Sequence, residues 1–152
     1  MRSKEAFIDA NLLVLLVVGQ VDRTLIERHR RTRRFTPEDY DRLLGIIQTL
    51  NRVFVTPNTL TEVSNLLKYD RMNLTRLLEK LRSIIDDSEE IIVDSTTAAH
   101  NSAFTRLGLT DAALLEVISE ERPLITVDFD LYSAAFEKGE EAARNFTYLQ
   151  NL

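Results

Sequence analysis

The chain has no cysteine and only two histidines among its 152 residues. The absence of cysteine excludes disulfide bonds, thiolate zinc sites and cysteine nucleophiles, and it suits a reducing compartment such as the cytoplasm. The glycine motifs of nucleotide-binding loops are also missing, since neither Gly-x-x-x-x-Gly-Lys nor Gly-x-Gly-x-x-Gly occurs. A metal-free site of two histidines would need His29 and His100 within hydrogen-bond distance of one another, which we do not expect.

Long apolar segments are absent as well, because nothing approaches the ~20 residues of a membrane span. The apolar run at residues 12–18 follows Arg2 and Lys4, so a signal peptide has to be considered. Seven apolar residues are the short limit for such a peptide, and the sequence Gly19-Gln20-Val21 is a poor cleavage site. We therefore expect a cytoplasmic protein that does not contact a membrane.

The length and composition are those of a single domain. A chain of 152 residues with 44% hydrophobic content can build a proper core, since proteins of this size bury roughly 70% of their unfolded surface. We predict one domain over residues 1–152, without internal repeats. The net charge of −5 does not favour a nucleic-acid binder, but a carboxylate cluster that binds a divalent metal loses much of its effective charge.

Short apolar runs alternate with helical patterns along the chain. The strand candidates are residues 6–8, 53–55, 91–93 and 124–127. The helix candidates are residues 11–19, 36–50, 56–67, 74–85, 97–107, 111–119 and 131–137, with Gly19, Gly108 and Gly139 as C-terminal ends. Such alternation indicates a parallel sheet covered on both faces. We predict an α/β fold, a three-layer α/β/α domain with a central, mostly parallel sheet of four or five strands.

Four acidic residues lie at the edges of different apolar segments. Asp9 and Asp128 end predicted strands, Asp111 opens a predicted helix, and Glu62 lies early in another helix. Sites in open α/β sheets form outside the carboxyl ends of the strands, so we expect these carboxylates to converge. A cluster of this kind repels itself and is stable as a set of anions only around a hard cation such as Mg²⁺ or Mn²⁺.

Each acid also has a simpler interpretation when it is taken alone. A carboxylate directly after a strand is usually a turn residue or a helix cap, and Asp94 has the same local sequence pattern. Asp111 would stabilise a helix N-terminus by about 0.3–1 kcal/mol, although it also heads the apolar stripe of its helix. Glu62 lies away from the apolar face of its helix, where a solvated side chain is usual. The prediction of a metal site therefore depends on the four acids taken together.

The four motifs together resemble the PIN-domain nucleases. An Asp-x-Asn motif (Asp9, Asn11) follows the first strand, an acid lies in the helix after the second strand, Leu-Thr-Asp-Ala opens a helix, and Thr-x-Asp ends a late strand. The resemblance covers nearly the whole chain and is greatest to the small VapC-type toxin ribonucleases. It is especially close over residues 93–136, which include Thr126, Asp128 and Asp130.

The resemblance implies a metal-dependent endoribonuclease, the toxin of a toxin–antitoxin pair. Its cofactor would be Mg²⁺ or Mn²⁺, and its partners would be an RNA substrate, a cognate antitoxin and a second copy of the chain in a homodimer. The residues carried over as catalytic and metal-binding are Asp9, Glu62, Asp111 and Asp128, with Asn11, Thr126 and Asp130 in support. Asp94 and Glu116 remain outside this site.

The chain departs from the compact toxins between residues 21 and 52, which we interpret as an extended, Arg-rich helical insertion. Five arginines lie within seven residues of this insertion, namely Arg28, Arg30, Arg31, Arg33 and Arg34. The run is a solvated loop, an RNA-backbone site or a site for an acidic partner segment.

Two other classes of function remain open. The first is a non-catalytic PIN-like domain that binds RNA or protein. The second is a metal-dependent transferase that uses the Asp-x-Asp pair of Asp128 and Asp130.

Overall fold

The computed structural model of the chain describes residues 4–148. Its strands are β1 (Glu5–Ile8), β2 (Arg52–Val55), β3 (Glu89–Glu90), β4 (Leu124–Thr126) and β5 (Ala143–Asn145). Its helices are α1 (Ala10–Val21), α2 (Pro37–Gln48), α3 (Pro57–Leu67), α4 (Leu74–Asp86), α5 (Ser95–Ala99), α6 (Phe104–Leu107), α7 (Leu109–Val117) and α8 (Phe129–Phe136). The predicted domain boundaries at residues 1 and 152, and Arg2 of the signal-peptide alternative, lie outside the described residues.

The five strands form one sheet in the order β3-β2-β1-β4-β5, and every neighbouring pair is parallel. Side chains of β1 alternate between the faces, because successive residues of a strand point to opposite sides. Ala6 and Ile8 pack with the core of α1 to α4, whereas Phe7 packs with the core of α7 and α8. The predicted three-layer α/β/α fold is confirmed, and the sheet has the larger of the two predicted strand numbers.

The strand order reverses at the boundary between β1 and β4. The chain runs from β1 outward through β2 to β3, and then returns to place β4 on the other side of β1. Ligand sites in open α/β sheets form at such a reversal, in the crevice outside the carboxyl ends of the strands. Asp9 and Asp128 lie just beyond those two strand ends.

Helix α1 is the buried centre of one layer. Almost all of its residues are buried, and it packs against α2, α3 and α4. The prediction that Gly19 ends this helix was wrong, because α1 continues to Val21. A Cβ atom at Gly19 would lie 2.1 Å from Cδ1 of Tyr40, so this glycine permits the close approach of α2. No helix within residues 4–148 is both long enough and apolar enough to cross a membrane.

The predicted third strand lies elsewhere in the structure. The strand is Glu89–Glu90, and residues 91–93 follow it without strand geometry, although the backbone N–H of Ile91 donates to the carbonyl of Val55 over 2.9 Å. Ile92 is 76% exposed, so this apolar run is not a buried strand. The sheet edge at this position is short and solvated.

The predicted helix at residues 97–107 is interrupted. It divides into α5 and α6, with a turn between them in which the side-chain oxygen of Asn101 accepts the N–H of Ala103 over 2.9 Å. This local hydrogen bond competes with helical pairing. Gly108 then ends α6 with a φ of 89°, a conformation that glycine adopts without steric cost, and α7 begins directly after it.

Candidate functional site

The ends of β1 and β4 are tied together by Asp9. Oδ2 of Asp9 accepts a short hydrogen bond from the Thr126 hydroxyl and a second one, of 3.1 Å, from the N–H of Val127. Oδ1 of Asp9 accepts the N–H of Leu12 over 3.0 Å and caps α1. The carboxylate is 4% exposed. Burial raises its pKa, the three hydrogen bonds oppose this rise, and the negative charge of Asp128 adds to it.

Asp128 lies at the corresponding end of β4. Its Oδ1 accepts the N–H of Leu131 over 3.0 Å and caps α8. Its own backbone N–H donates to the Thr126 hydroxyl oxygen over 3.0 Å, so one threonine orients both acids. Asp9 and Asp128 are therefore helix caps, as the simpler interpretation of each predicts. The same geometry also places them side by side at the reversal of strand order.

Asp111 enters the site from the first turn of α7. It is half-buried, and its pKa is raised to about 7. Burial is the largest cause of this rise, and the negative charges of Asp128, Glu62 and Asp9 contribute in that order. No hydrogen bond contributes to this pKa, so the carboxylate oxygens are not engaged by donors in residues 4–148.

Glu62 enters from α3, which packs against α7. It is half-buried rather than solvated, because its helix face borders a cleft of about 490 Å³ between these two helices, also lined by Asn58, Leu66, Leu109 and Thr110. Burial raises the pKa of Glu62, the charges of Asp9 and Asp128 raise it further, and the charge of Arg31 lowers it. The structure thus brings together all four acids that the sequence singles out.

The arrangement is not a complete metal-ligand set. No group of three or more histidine, aspartate or glutamate side chains within residues 4–148 is placed to hold an ion. The donor chemistry nevertheless fits Mg²⁺ or Mn²⁺, because such ions usually bind through one or two carboxylates and keep several waters. Glu62 and Asp111 have oxygens free of hydrogen bonds from the described residues, and a hydrated ion between them would relieve the repulsion that raises their pKa values.

The supporting residues divide into two groups. Thr126 is fully buried and holds Asp9 and Asp128, as described above. Asn11 is half-buried in the first turn of α1, and Asp130 is exposed in the first turn of α8. Neither is hydrogen-bonded to the four acids among the residues described. Phe129, between Asp128 and Asp130, is 71% exposed.

The arginine run has a defined backbone conformation, and its five arginine side chains are all exposed. Residues 26–35 form turns around two buried polar side chains, while the helical parts of the insertion are a short 3-10 turn at Arg23–Leu25 and α2. Nδ1 of buried His29 accepts the N–H of Arg31 over 3.0 Å, and the buried Thr32 hydroxyl donates to the carbonyl of Ile26 over 2.7 Å. The expectation of a helical insertion therefore holds only on either side of the run.

Four arginines of the run have no acidic partner, a property that they share with several other exposed arginines of the described chain. Ion pairs are formed by Arg23–Asp41, Arg52–Glu89, Arg122–Glu5 and Arg144–Glu141. Arg30, Arg31, Arg33 and Arg34 form no ion pair with a carboxylate in the described part of the chain. Instead, the guanidinium groups of Arg30 and Arg31 lie 5.2 and 4.5 Å from the ring centroid of Tyr69, and that of Arg34 lies 5.0 Å from the centroid of Phe35. Arg28 bonds to Thr24.

Asp94 and Glu116 lie outside the acidic group. Asp94 caps α5 by accepting the N–H of Thr97 over 2.8 Å, and hydrogen bonds from Thr97 lower its pKa. Glu116 is exposed and accepts a hydrogen bond of 3.0 Å from the side chain of Asn101. Neither charge contributes to the pKa values of Asp9, Glu62 and Asp111. They are matched controls for substitutions in the site.

Comparison with protein-family models gives no match, and comparison with curated proteins gives none either. The resemblance to PIN-domain nucleases therefore depends on the sequence motifs of this chain alone.

Proposed function

We propose that the chain is a metal-dependent endoribonuclease that hydrolyses RNA phosphodiester bonds. The observation that carries the proposal is the clustering of Asp9, Glu62, Asp111 and Asp128 where the strand order reverses, close enough for the charge of Asp128 to raise the pKa values of the other three. A protein that binds RNA or protein passively gains nothing from a cluster of anions that repel one another. A nuclease gains a site for a divalent cation, which in turn binds phosphate.

Glu62 and Asp111 would hold Mg²⁺ or Mn²⁺, with Asp9 and Asp128 completing the set directly or through waters. When bound, the ion supplies an activated water and offsets the charge of the phosphate. Thr126 keeps the carboxylates of Asp9 and Asp128 in fixed orientations. In the reaction the water oxygen bonds to phosphorus, the ester oxygen of the neighbouring nucleotide leaves, and a proton from the water ends on that leaving oxygen.

The arginine run supports RNA as the substrate. One of its cations, Arg31, lies close enough to the acidic group for its charge to act on Glu62, and phosphate contacts by arginine gain affinity from counterion release. Through the resemblance to VapC-type toxins, the proposal extends to a toxin that acts in the cytoplasm. Its partners would be a cognate antitoxin and a second copy of the chain as a homodimer.

The test is RNA cleavage with Mn²⁺ by the wild type, Asp111→Asn and Asp94→Asn. Asp111→Asn keeps size but removes a ligand charge, so we expect the rate to fall by about a hundredfold or more, because metal assistance contributes several kcal/mol. Asp94→Asn should cleave as the wild type does, since asparagine is an equally good helix cap. If the wild type cleaves no RNA, or if both variants lose activity equally, the proposal fails.

One alternative has an observation in its favour. The incomplete ligand set suits a non-catalytic PIN-like domain that binds RNA or protein, and such a domain would bind RNA with Mn²⁺ present without cleaving it. The transferase alternative would use Asp128 and Asp130 and would not need Glu62 or Asp111. It is disfavoured because Asp130 is absent from the electrostatic coupling that includes those two residues.

A further inference from the structure

Arg31 is an exposed arginine of the run whose backbone and side chain each have a partner. Its backbone N–H donates to Nδ1 of His29, a ring only 2% exposed, over 3.0 Å. Its guanidinium lies 4.5 Å from the centroid of the Tyr69 ring, within the range of a cation–π interaction. Backbone and side chain are therefore fixed by separate partners, which lowers the entropy cost of ligand binding by this group.

Tyr69 holds Arg31 at the end of the helix that carries Glu62. Tyr69 lies in the turn directly after α3, and Leu66 of that helix lines the cleft together with Glu62. The charge of Arg31 correspondingly acts on Glu62, and it is the only cation among the groups that shift the pKa values of Asp9, Glu62 and Asp111. Arg33 and Arg34 do not act on these acids.

A site of four carboxylates repels the phosphate that it has to bind. A divalent ion offsets part of this repulsion, and a fixed guanidinium at the rim offsets more, because arginine can form two parallel hydrogen bonds to one phosphate. Donors that are already in place when charge develops on phosphate oxygens lower the barrier most effectively. Arg31 has the charge, the position and the fixed orientation that such a donor needs.

We propose that Arg31 is a catalytic residue that binds the scissile phosphate, with Tyr69 and His29 as its positioning residues. This inference rests on the proposed nuclease activity and deepens it. The remaining arginines of the run bind phosphates farther along the RNA, so their loss weakens binding without changing the chemical step.

The test separates binding from chemistry with Arg31→Gln and the matched control Arg33→Gln. The probe is a short, mixed-sequence RNA oligonucleotide with Mn²⁺, and kcat and KM are measured for each variant. For Arg31→Gln we expect kcat to fall by about 10²–10³-fold, the usual effect of removing one donor to a developing oxyanion. For Arg33→Gln we expect an increase in KM with kcat unchanged. Arg31→Lys should restore part of kcat, because it keeps the charge.

Substitutions of Tyr69 test the role of Arg31 independently of whether the Arg31 variant folds. Tyr69→Phe keeps the ring and should keep kcat, whereas Tyr69→Leu removes the cation–π contact and should lower kcat. Combining Tyr69→Leu with Arg31→Gln should lower kcat no further than Arg31→Gln alone, because Arg30, the other guanidinium over Tyr69, takes no part in the chemical step. If the wild type cleaves but Arg31→Gln resembles Arg33→Gln, or Tyr69→Leu resembles Tyr69→Phe, this inference is wrong and the nuclease stands. If the wild type cleaves nothing, the proposed function itself fails.

Discussion

Asp9 combines two roles at a single position. Its carboxylate caps α1 through Leu12 and accepts from Thr126 and Val127 at the end of β4. An asparagine would present an NH₂ group to donors on one side and leave them unsatisfied, at a cost of about 1–3 kcal/mol. Loss of activity in Asp9→Asn would therefore mix a structural effect with a chemical one. Asp111, whose oxygens have no such partners, is the better position to test.

Asp111 also predicts how stability depends on pH. Its pKa is raised from 3.8 to about 7 in the folded state, so unfolding releases a proton between these values. The contribution of Asp111 to the free energy of unfolding is fully present below pH 3.8 and is lost as the pH rises to about 7. Unfolding midpoints of the metal-free protein from pH 4 to pH 8 should show this decline.

The matched variant isolates this contribution. Asp111→Asn should flatten the decline, because the amide does not titrate. His29 acts in the opposite direction over part of this range, since burial lowers its pKa, but it is present in both proteins and cancels in the difference. A difference between wild type and variant that does not change from pH 4 to pH 8 would show that Asp111 is not in the environment described.

At the scale of elements, we expect alanine substitutions at two helical glycines to change the free energy of unfolding in opposite directions. Gly19 lies in α1 against the ring of Tyr40, whereas a Cβ atom at Gly45 in α2 would meet nothing within 4 Å. Gly19→Ala should lower the free energy of unfolding by about 1–3 kcal/mol through overpacking. Gly45→Ala should raise it by up to about 1 kcal/mol through helix propensity. Denaturant unfolding of both variants checks the pair, and a stabilising Gly19→Ala would contradict the close approach of α1 and α2.

The position of each strand in the sheet explains whether the sequence predicts it. β1, β2 and β4 were predictable because they are the central strands, where apolar runs are buried on both faces. β3 and β5 are short edge strands, and the apolar pattern gives little signal there. Residues 91–93 have the apolar pattern of a strand, but the strand β3 lies just before them at Glu89–Glu90. Strand β5 at Ala143–Asn145 was not predicted. Caps such as Thr36 and Thr56 were recognisable because their hydrogen bonds are local.

The sequence predicts which acids lie near one another, but it does not predict how their side chains are oriented. The pattern of acids at strand and helix ends indicates convergence, because parallel strands end at the same edge of a sheet. The orientation of Glu62 toward a cleft depends on how α3 packs against α7, which no local pattern determines. The support of the arginine run by His29 and Thr32 was not predicted either, since buried polar residues in turns leave no periodic signal.

At the scale of the whole molecule, charge is distributed unevenly. The net charge of −5 hides an acidic group and, close enough for Arg31 to act on Glu62, a run of arginines that form no ion pair within residues 4–148. Opposite charges this close together suit a ligand that carries both signs of charge, such as RNA with a bound divalent metal ion. The acids would face the metal ion, and the arginine would face the RNA phosphates. Under the proposed function, this arrangement would let an acidic protein bind RNA.

Metal binding should raise the stability of the whole fold. A metal ion binds the folded arrangement and not the dispersed acids of the unfolded chain, so Mn²⁺ should stabilise the protein by about 2.7 kcal/mol at a hundredfold excess over its dissociation constant. Without metal at pH 8, Asp111→Asn should be more stable than the wild type, because it relieves repulsion by Asp128, Glu62 and Asp9. The variant should then lose most of the gain from Mn²⁺, whereas Asp94→Asn should keep it. Thermal melts with EDTA and with Mn²⁺ measure both effects. A wild type without a metal-dependent shift, together with a less stable Asp111→Asn, would mean that the four carboxylates do not act as one metal site.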